Sequence, residues 1–166
     1  MKFLLSASAL ALAALPAFAA TAVVGQPAPT FSVTDTSGKT VSLADFKGKT
    51  VVLEWVNPGC PYVRKHYDSA NMQATQKGAA DKGVVWLAVN STAPGHDDYK
   101  RPADMAAWMQ SQKAAATHTL MDSDGKIGKA YGARTTPHMY VVDAKGTLAY
   151  AGGIDDRPSS NPADVK

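Results

Sequence analysis

Two continuous apolar runs, Thr50–Val56 and Val84–Val89, constrain this chain more tightly than any other feature. A strand with one wet face alternates apolar and polar residues. A strand apolar at nearly every position must be covered on both faces, as in parallel sheets. Between the runs, Asn57-Pro58-Gly59 breaks the first strand and Pro61 opens a helix. That helix is predicted to reach about Lys77, with Val63, Tyr67, Ala70 and Ala74 recurring on one face. A covered strand, a helix and a second covered strand form the unit of an α/β fold.

The remaining segments extend that reading. Val33 to Leu43, turning at Ser37-Gly38, suggests an N-terminal hairpin. Ser91–Arg101 is polar and reads as a loop, and Pro102 starts a helix with Met105, Trp108 and Met109 on one stripe. Thr119–Met121 suggests a short strand and Ile127–Tyr131 a short helix. Met139–Val142 and Thr147–Tyr150, joined by Asp143–Gly146, form a closing hairpin. With no internal repeat and no linker, the expectation is one α/β domain built on a mixed sheet. Trp55, Trp86 and Trp108 fall on its apolar faces.

The N-terminus has a positive start, a short apolar stretch from Phe3 to Leu15 and a small-x-small site at Ala17-Phe18-Ala19. These are the parts of a secretory signal, so residues 1–19 are expected to be a signal peptide and 20–166 the folded domain. The apolar stretch is too short to span a bilayer, and membrane insertion is not expected. The formal net charge is +3, with lysines scattered along the chain, which does not favour nucleic-acid binding. Export implies a periplasmic or secreted location. The chain has a single cysteine; in an oxidising compartment it is either inert or reacts with something outside its own chain.

That cysteine, Cys60, stands at the strand-to-helix turn, with Pro61 at the first helical position. As the helix N-cap its sulfur would meet unpaired N–H groups and the positive end of the helix dipole, which favours the reactive thiolate. The competing reading is a small buried hydrophobe; position favours the reactive thiol. Further along, Thr135-Thr136-Pro137 immediately precedes a strand. A proline there marks a strand start or a bend, and its peptide bond is open to either isomer.

Val51–Tyr62, Asp124-Gly125 through Tyr131-Gly132, and Thr136-Pro137 followed by Val141-Val142-Asp143 and Gly146 together resemble the thioredoxin-like superfamily. Within it they are similar to the redoxin group, the exported bacterial proteins of the peroxiredoxin and alkyl hydroperoxide reductase–thiol-specific antioxidant kind. The resemblance runs from about Gly25 to the C-terminus. It implies a three-layer fold around a mixed sheet, Cys60 as the attacking thiol, and a cis Pro137 packed against it. It also implies thiol-based antioxidant or disulfide chemistry. Asn57, Gly59 and Thr136 are then the nearest groups for binding substrate, and a peroxide or disulfide is the substrate with an external thiol as reductant. No cofactor is implied. Three positions depart from the pattern. Val63 stands where thioredoxins place their second cysteine, so fast internal release of a mixed disulfide is not available. Asn57 stands where peroxiredoxins have threonine, and no arginine falls clearly on their arginine position. Arg64, one turn after Cys60, has two readings: it stabilises the thiolate, or it is a solvated charge beside Lys65. Arg134 is the other candidate.

Asn161-Pro162-Ala163-Asp164 reads as the start of a helix, of which only the first turn lies before Lys166. The expectation is a truncated closing helix, leaving Val84, Trp86 or Val141 open to exposure; related redoxins often carry another cysteine beyond such a helix, and whether one was lost here is left open. His66, His96, His118 and His138 are dispersed, and no pair has metal-ligand spacing with Cys60. Asp122-Ser123-Asp124-Gly125 is better read as a turn than as a calcium loop. The alternative to an enzyme is a thioredoxin-fold module that binds extended polypeptide, with Cys60 incidental.

Overall fold

The computed structural model describes residues 21–165; the expected signal peptide lies outside them. A hairpin comes first, β1 (Ser32–Thr34) and β2 (Thr40–Ser42), paired antiparallel. The Asp35 carboxylate closes its turn by accepting from the Ser37 and Lys39 backbone N–H groups at 2.9 and 3.0 Å. Its second oxygen meets His118 Nδ1 at 2.9 Å, tying the hairpin to the domain. Burial raises this carboxyl's pKa, but the bonds from Ser37, His118 and Lys39 outweigh it and hold the value at about 2.

The main sheet has five strands in the order β5-β4-β3-β6-β7: β3 (Val51–Trp55), β4 (Val85–Asn90), β5 (His118–Met121), β6 (His138–Val142) and β7 (Leu148–Gly152). β3 lies at the centre, parallel to β4 and antiparallel to β6, and every residue of β3 and β4 is buried. Continuous apolarity thus does mark the two strands covered on both faces. On one face Leu53, Trp55, Leu87, Val89 and Leu120 pack with Ile127 and Tyr131 of α4 (Lys126–Tyr131), with the hairpin region alongside. On the other, Val52, Val56, Trp86, Ala88 and Met139 pack with Val63 and Tyr67 of α1 (Pro61–Asp68), Met72 of α2 (Asn71–Ala80), and Met105 and Met109 of α3 (Pro102–Ser111). This is the three-layer arrangement with a mixed sheet.

The predicted long helix is two helices. Ala70 adopts a left-handed conformation (φ 61°) between α1 and α2. Ala70 and Ala74, expected inside, are exposed, whereas Met72 and Gln76 are buried. The break rotates the second segment so that its larger side chains reach the core. No proline or glycine marks the site; Gln73, from the first turn of α2, holds it by donating to the Tyr67 and Gln112 carbonyls at 2.9 and 2.7 Å.

Trp86, expected as a possible exposed residue, is buried, and Val84 and Val141 are half-buried. The other two tryptophans also line the core: Trp55 is buried, and half-buried Trp108 packs edge-on to Tyr67 at 4.9 Å. The Asp122–Gly125 segment is a turn, and the Asp122 carboxylate caps α4 by accepting from Ile127 and Gly128 N–H at 3.0 and 2.9 Å. At the chain's end, Asn161 caps a short 3-10 turn over Pro162–Asp164, accepting from Ala163 N–H at 3.0 Å. Among the described residues no helix is long and apolar enough to cross a membrane.

Candidate active site

β3 delivers the chain to a tight turn that presents Cys60. Asn57 Oδ1 accepts from Gly59 N–H at 2.8 Å, and the Asn57 carbonyl accepts from Cys60 N–H at 3.0 Å. An asparagine that bonds its own backbone two residues on is a ready-made turn former. Cys60 then takes extended angles as N-cap of α1, with Pro61 behind it, and its side chain does not cap the helix. The sulfur is half-buried against the apolar layer under α1 and donates to the Thr136 carbonyl at 3.1 Å. The Thr136–Pro137 bond is cis. Cys60 and Thr136, 76 positions apart in the chain, therefore meet, and the cis proline follows directly after Thr136.

Asn57 and Gly59 touch a residue with no role in the sequence reading. Asn57 Nδ2 donates to Asp98 Oδ2 at 3.2 Å, pinning the Ser91–Arg101 loop to the turn. A Cβ on Gly59 would overlap the Asp98 carboxylate, so glycine is what admits this contact. Arg64 is exposed and is bonded to the turn before Cys60. Its Nε donates to the Pro58 carbonyl at 3.0 Å, which directs the side chain back along the turn toward a groove shared with Asp97 and Asp98.

Two further groups near the site went unnoticed. Lys65 is 1% exposed and bonds Asp155 Oδ2 at 2.6 Å. His66 is buried beside it, with Nε2 3.3 Å from the same oxygen and Nδ1 2.9 Å from Asn71 Nδ2. The amide donates to Nδ1, so the neutral ring carries its proton on Nε2, toward Asp155. Burial pushes the His66 pKa down, against the pull of Asp155. Burial acts to raise the Asp155 carboxyl, but the Lys65 bond and the His66 and Lys65 charges outweigh it and hold it low. This cluster ties α1, which carries Cys60, to the segment after β7.

The other is Glu54, a carboxyl in the middle of β3 that is 0% exposed. Trp86 Nε1, Tyr67 Oη and Gln76 Nε2 donate to it at 2.7, 2.9 and 3.0 Å. Burial raises its pKa against those three bonds. A lone acid inside an apolar run was the available signal, because a buried charge needs partners supplied from elsewhere in the fold. His138, next to Pro137, bonds Tyr140 Oη through Nδ1 at 3.1 Å, and burial lowers its pKa. Among the described residues no group of three or more His, Cys, Asp or Glu side chains is gathered as a metal ion would need.

Two open cavities, of about 320 and 540 Å³, lie on either side of Thr135-Thr136. Asn57 borders the smaller, Tyr62 and Pro137 the larger. Thr136, whose carbonyl lies 3.1 Å from the Cys60 sulfur, borders both. The second cysteine of a dithiol site has no counterpart: position 63 is a fully buried valine in the core of α1.

Comparison with known proteins agrees with this layout. The AhpC/TSA family profile matches residues 24–151, which takes in β1 through most of β7. The chain is 28% identical over 132 residues to the thiol-disulfide oxidoreductase ResA of Bacillus thuringiensis subsp. konkukian, covering 75% of this chain and 66% of that protein. A crystal structure of an uncharacterized conserved protein from Geobacillus kaustophilus superposes with a TM-score of 0.75 at 27% identity, covering 82% of this chain and 72% of that one. The exposed lipoprotein thioredoxin of Streptococcus pneumoniae superposes with a TM-score of 0.60 at 28% identity, covering 76% of this chain and 91% of that one. The thioredoxin-like fold, the redoxin-type extension before it and the profile match lead to one conclusion: this chain belongs to the AhpC/TSA family.

Proposed function

We propose that this chain is a thiol oxidoreductase that exchanges disulfides through Cys60 alone and works outside the cytoplasm. The observation that carries the reading is the placement of the Cys60 sulfur at the start of α1, half-exposed and 3.1 Å from the Thr136 carbonyl. The deprotonated sulfur attacks one sulfur of a substrate disulfide. The new S–S bond forms as the old one breaks, and the departing thiolate takes a proton from water. With a buried valine at position 63, a second thiol from outside the chain releases the mixed disulfide. Thr136 and Pro137 border the substrate, Asn57 and Gly59 shape the turn, and Arg64 braces it through the Pro58 carbonyl. The extracytoplasmic location rests on the signal-like residues 1–19 and on the likeness to an exposed lipoprotein thioredoxin.

Family membership favours peroxide reduction at the same thiol as a second reading. There Cys60 attacks a peroxide oxygen, the O–O bond breaks, an alcohol or water leaves, and a sulfenic acid remains. One preparation tests both. The purified chain is given a small disulfide or a peroxide, with excess small thiol, and the mass of the protein is followed. Exchange predicts a mixed disulfide on Cys60 and turnover lost in Cys60→Ser. Peroxide consumption without a mixed disulfide selects the second reading, and neither activity leaves the polypeptide-binding module.

A further inference from the structure

The smaller of the two cavities bordered by Thr136 has a cation but no carboxylate on its lining; the Asp122 carboxylate behind it is covered by Ser91 Oγ and Gly128 N–H, which donate to it at 2.6 and 2.9 Å. The cavity's floor is Trp55, and its walls come from Asn57, the Thr92–His96 stretch and the Arg134–Thr136 stretch. Its cation is not spent elsewhere, since no ion pair joins Arg134 to a carboxylate among the described residues. His96 accepts from Asp98 N–H on Nδ1 at 3.1 Å, so its neutral ring carries the donor on Nε2. The two acids of that loop, Asp97 and Asp98, line a different groove, with Arg64 and Lys100, and Asp98 is held there by Asn57 Nδ2 at 3.2 Å. Trp55 Nε1 is likewise committed, donating to Ser91 at 3.0 Å. The cavity therefore offers a guanidinium, an imidazole N–H and threonine hydroxyls above an apolar floor, a donor set complementary to a small anion. Thr136, whose carbonyl holds the Cys60 thiol, is also one of its walls. Thr136 thus links the cavity to the Cys60 sulfur, 3.1 Å from its carbonyl.

We infer that this cavity is an anion subsite, and that the disulfide or thiol exchanged at Cys60 is a small molecule bearing a carboxylate bound by Arg134. The inference rests on the exchange reading for its sulfur chemistry, but the anion site itself does not. In the exchange step Cys60 displaces one half of the disulfide as a carboxylate-bearing thiolate, which takes a proton from water; Cys60 is oxidised as that half is reduced, and no further reactant is needed.

The test compares small disulfides of matched size and different charge: dithiodiglycolate (anionic), hydroxyethyl disulfide (neutral) and cystamine (cationic). Modification of Cys60 is followed by intact mass at low salt. The expected order is anionic, then neutral, then cationic. Arg134→Gln should slow the anionic probe about five-fold and leave the neutral one unchanged, as removal of one partly exposed charge contact does. Arg134→Lys should keep part of the preference, and added salt should erode it in the parent. In parallel, dithiodiglycolate is titrated into Cys60→Ser while tryptophan fluorescence is read, with Cys60→Ser/Arg134→Gln as the comparison. Equal rates for all probes in parent and Arg134→Gln, with no Arg134-dependent binding, overturn the anion site and leave exchange standing. No reaction with any probe, but Arg134-dependent binding in Cys60→Ser, overturns exchange and leaves the anion site standing.

Discussion

Glu54 offers the sharpest test of how this domain is held together. Its carboxylate is the acceptor for three buried donors drawn from β4, α1 and α2. In Glu54→Ala, Gln76 Nε2 keeps a second partner, Tyr67 Oη at 3.1 Å, but Trp86 Nε1 and the Tyr67 hydroxyl lose their acceptor. Each buried donor left unpaired costs about 1–3 kcal/mol, so the substitution should cost about 2–6 kcal/mol. That is a large share of the roughly 5–15 kcal/mol of a typical domain. At roughly 2–4 °C per kcal/mol for a chain of this size, the melting temperature should fall by about 5–20 °C. A pH signature accompanies it. Burial raises the Glu54 pKa above its unfolded value, so the folded state holds a proton more tightly than the unfolded chain. Glu54's contribution is therefore intact below the ordinary carboxylate range and lost as pH rises from there toward the raised folded value. Glu54→Gln, which keeps an acceptor and the volume, should melt closer to the parent and lose that pH slope. Thermal melts by circular dichroism from acid to alkaline pH read both effects. A Glu54→Ala melt within a degree or two of the parent, or an unchanged slope in Glu54→Gln, would refute the assignment of Glu54 as the hub of this network.

Three further outcomes are expected. Asp35 has the opposite sign to Glu54: its carboxyl is held at about 2, so its stabilisation is present above the ordinary carboxylate value and lost as pH falls through the interval below it. Asp35→Asn should flatten acid unfolding, measured by urea titration at several acid pH values. Gly59→Ala should lower stability by about 1–3 kcal/mol by driving a methyl into the Asp98 carboxylate, and most of that loss should vanish in an Asp98→Ala background, as a double-mutant cycle shows. Lys65→Met should cost about 1–3 kcal/mol, less than a fully enclosed pair because Asp155 is 29% exposed, and proteolysis should become faster in the 153–158 segment, read by mass spectrometry of the fragments.

The elements legible from sequence are those in which local pattern and tertiary role coincide. Val51–Trp55 and Val85–Asn90 are apolar because both faces are covered, and the Thr147–Tyr150 strand follows a four-residue turn ending in Gly146, which has φ 86°. The turn before Cys60 was also legible, since Asn57, Pro58 and Gly59 act on their own backbone. The break at Ala70 was not, because its cause is a choice between burying Ala70 and Ala74 or burying Met72 and Gln76. That choice depends on the space beneath the helix. Arg64 was ambiguous for a similar reason: helical spacing places it on the Cys60 face, but the free Pro58 carbonyl that captures it is a product of the turn.

What the sequence determined by itself was the α/β order, the family resemblance and the thiol at the head of α1, because those follow from periodicity and from residues acting on their immediate neighbours. What only the tertiary structure decided was which distant groups surround that thiol. Thr136 reaches Cys60 across the sheet, Asp98 reaches Asn57 from a loop, and Asp155 reaches Lys65 from beyond β7. Such contacts are set by strand order and packing, and no single stretch of chain encodes them. The same holds for Lys65, whose charge is tolerated in the interior because the fold brings it a carboxylate.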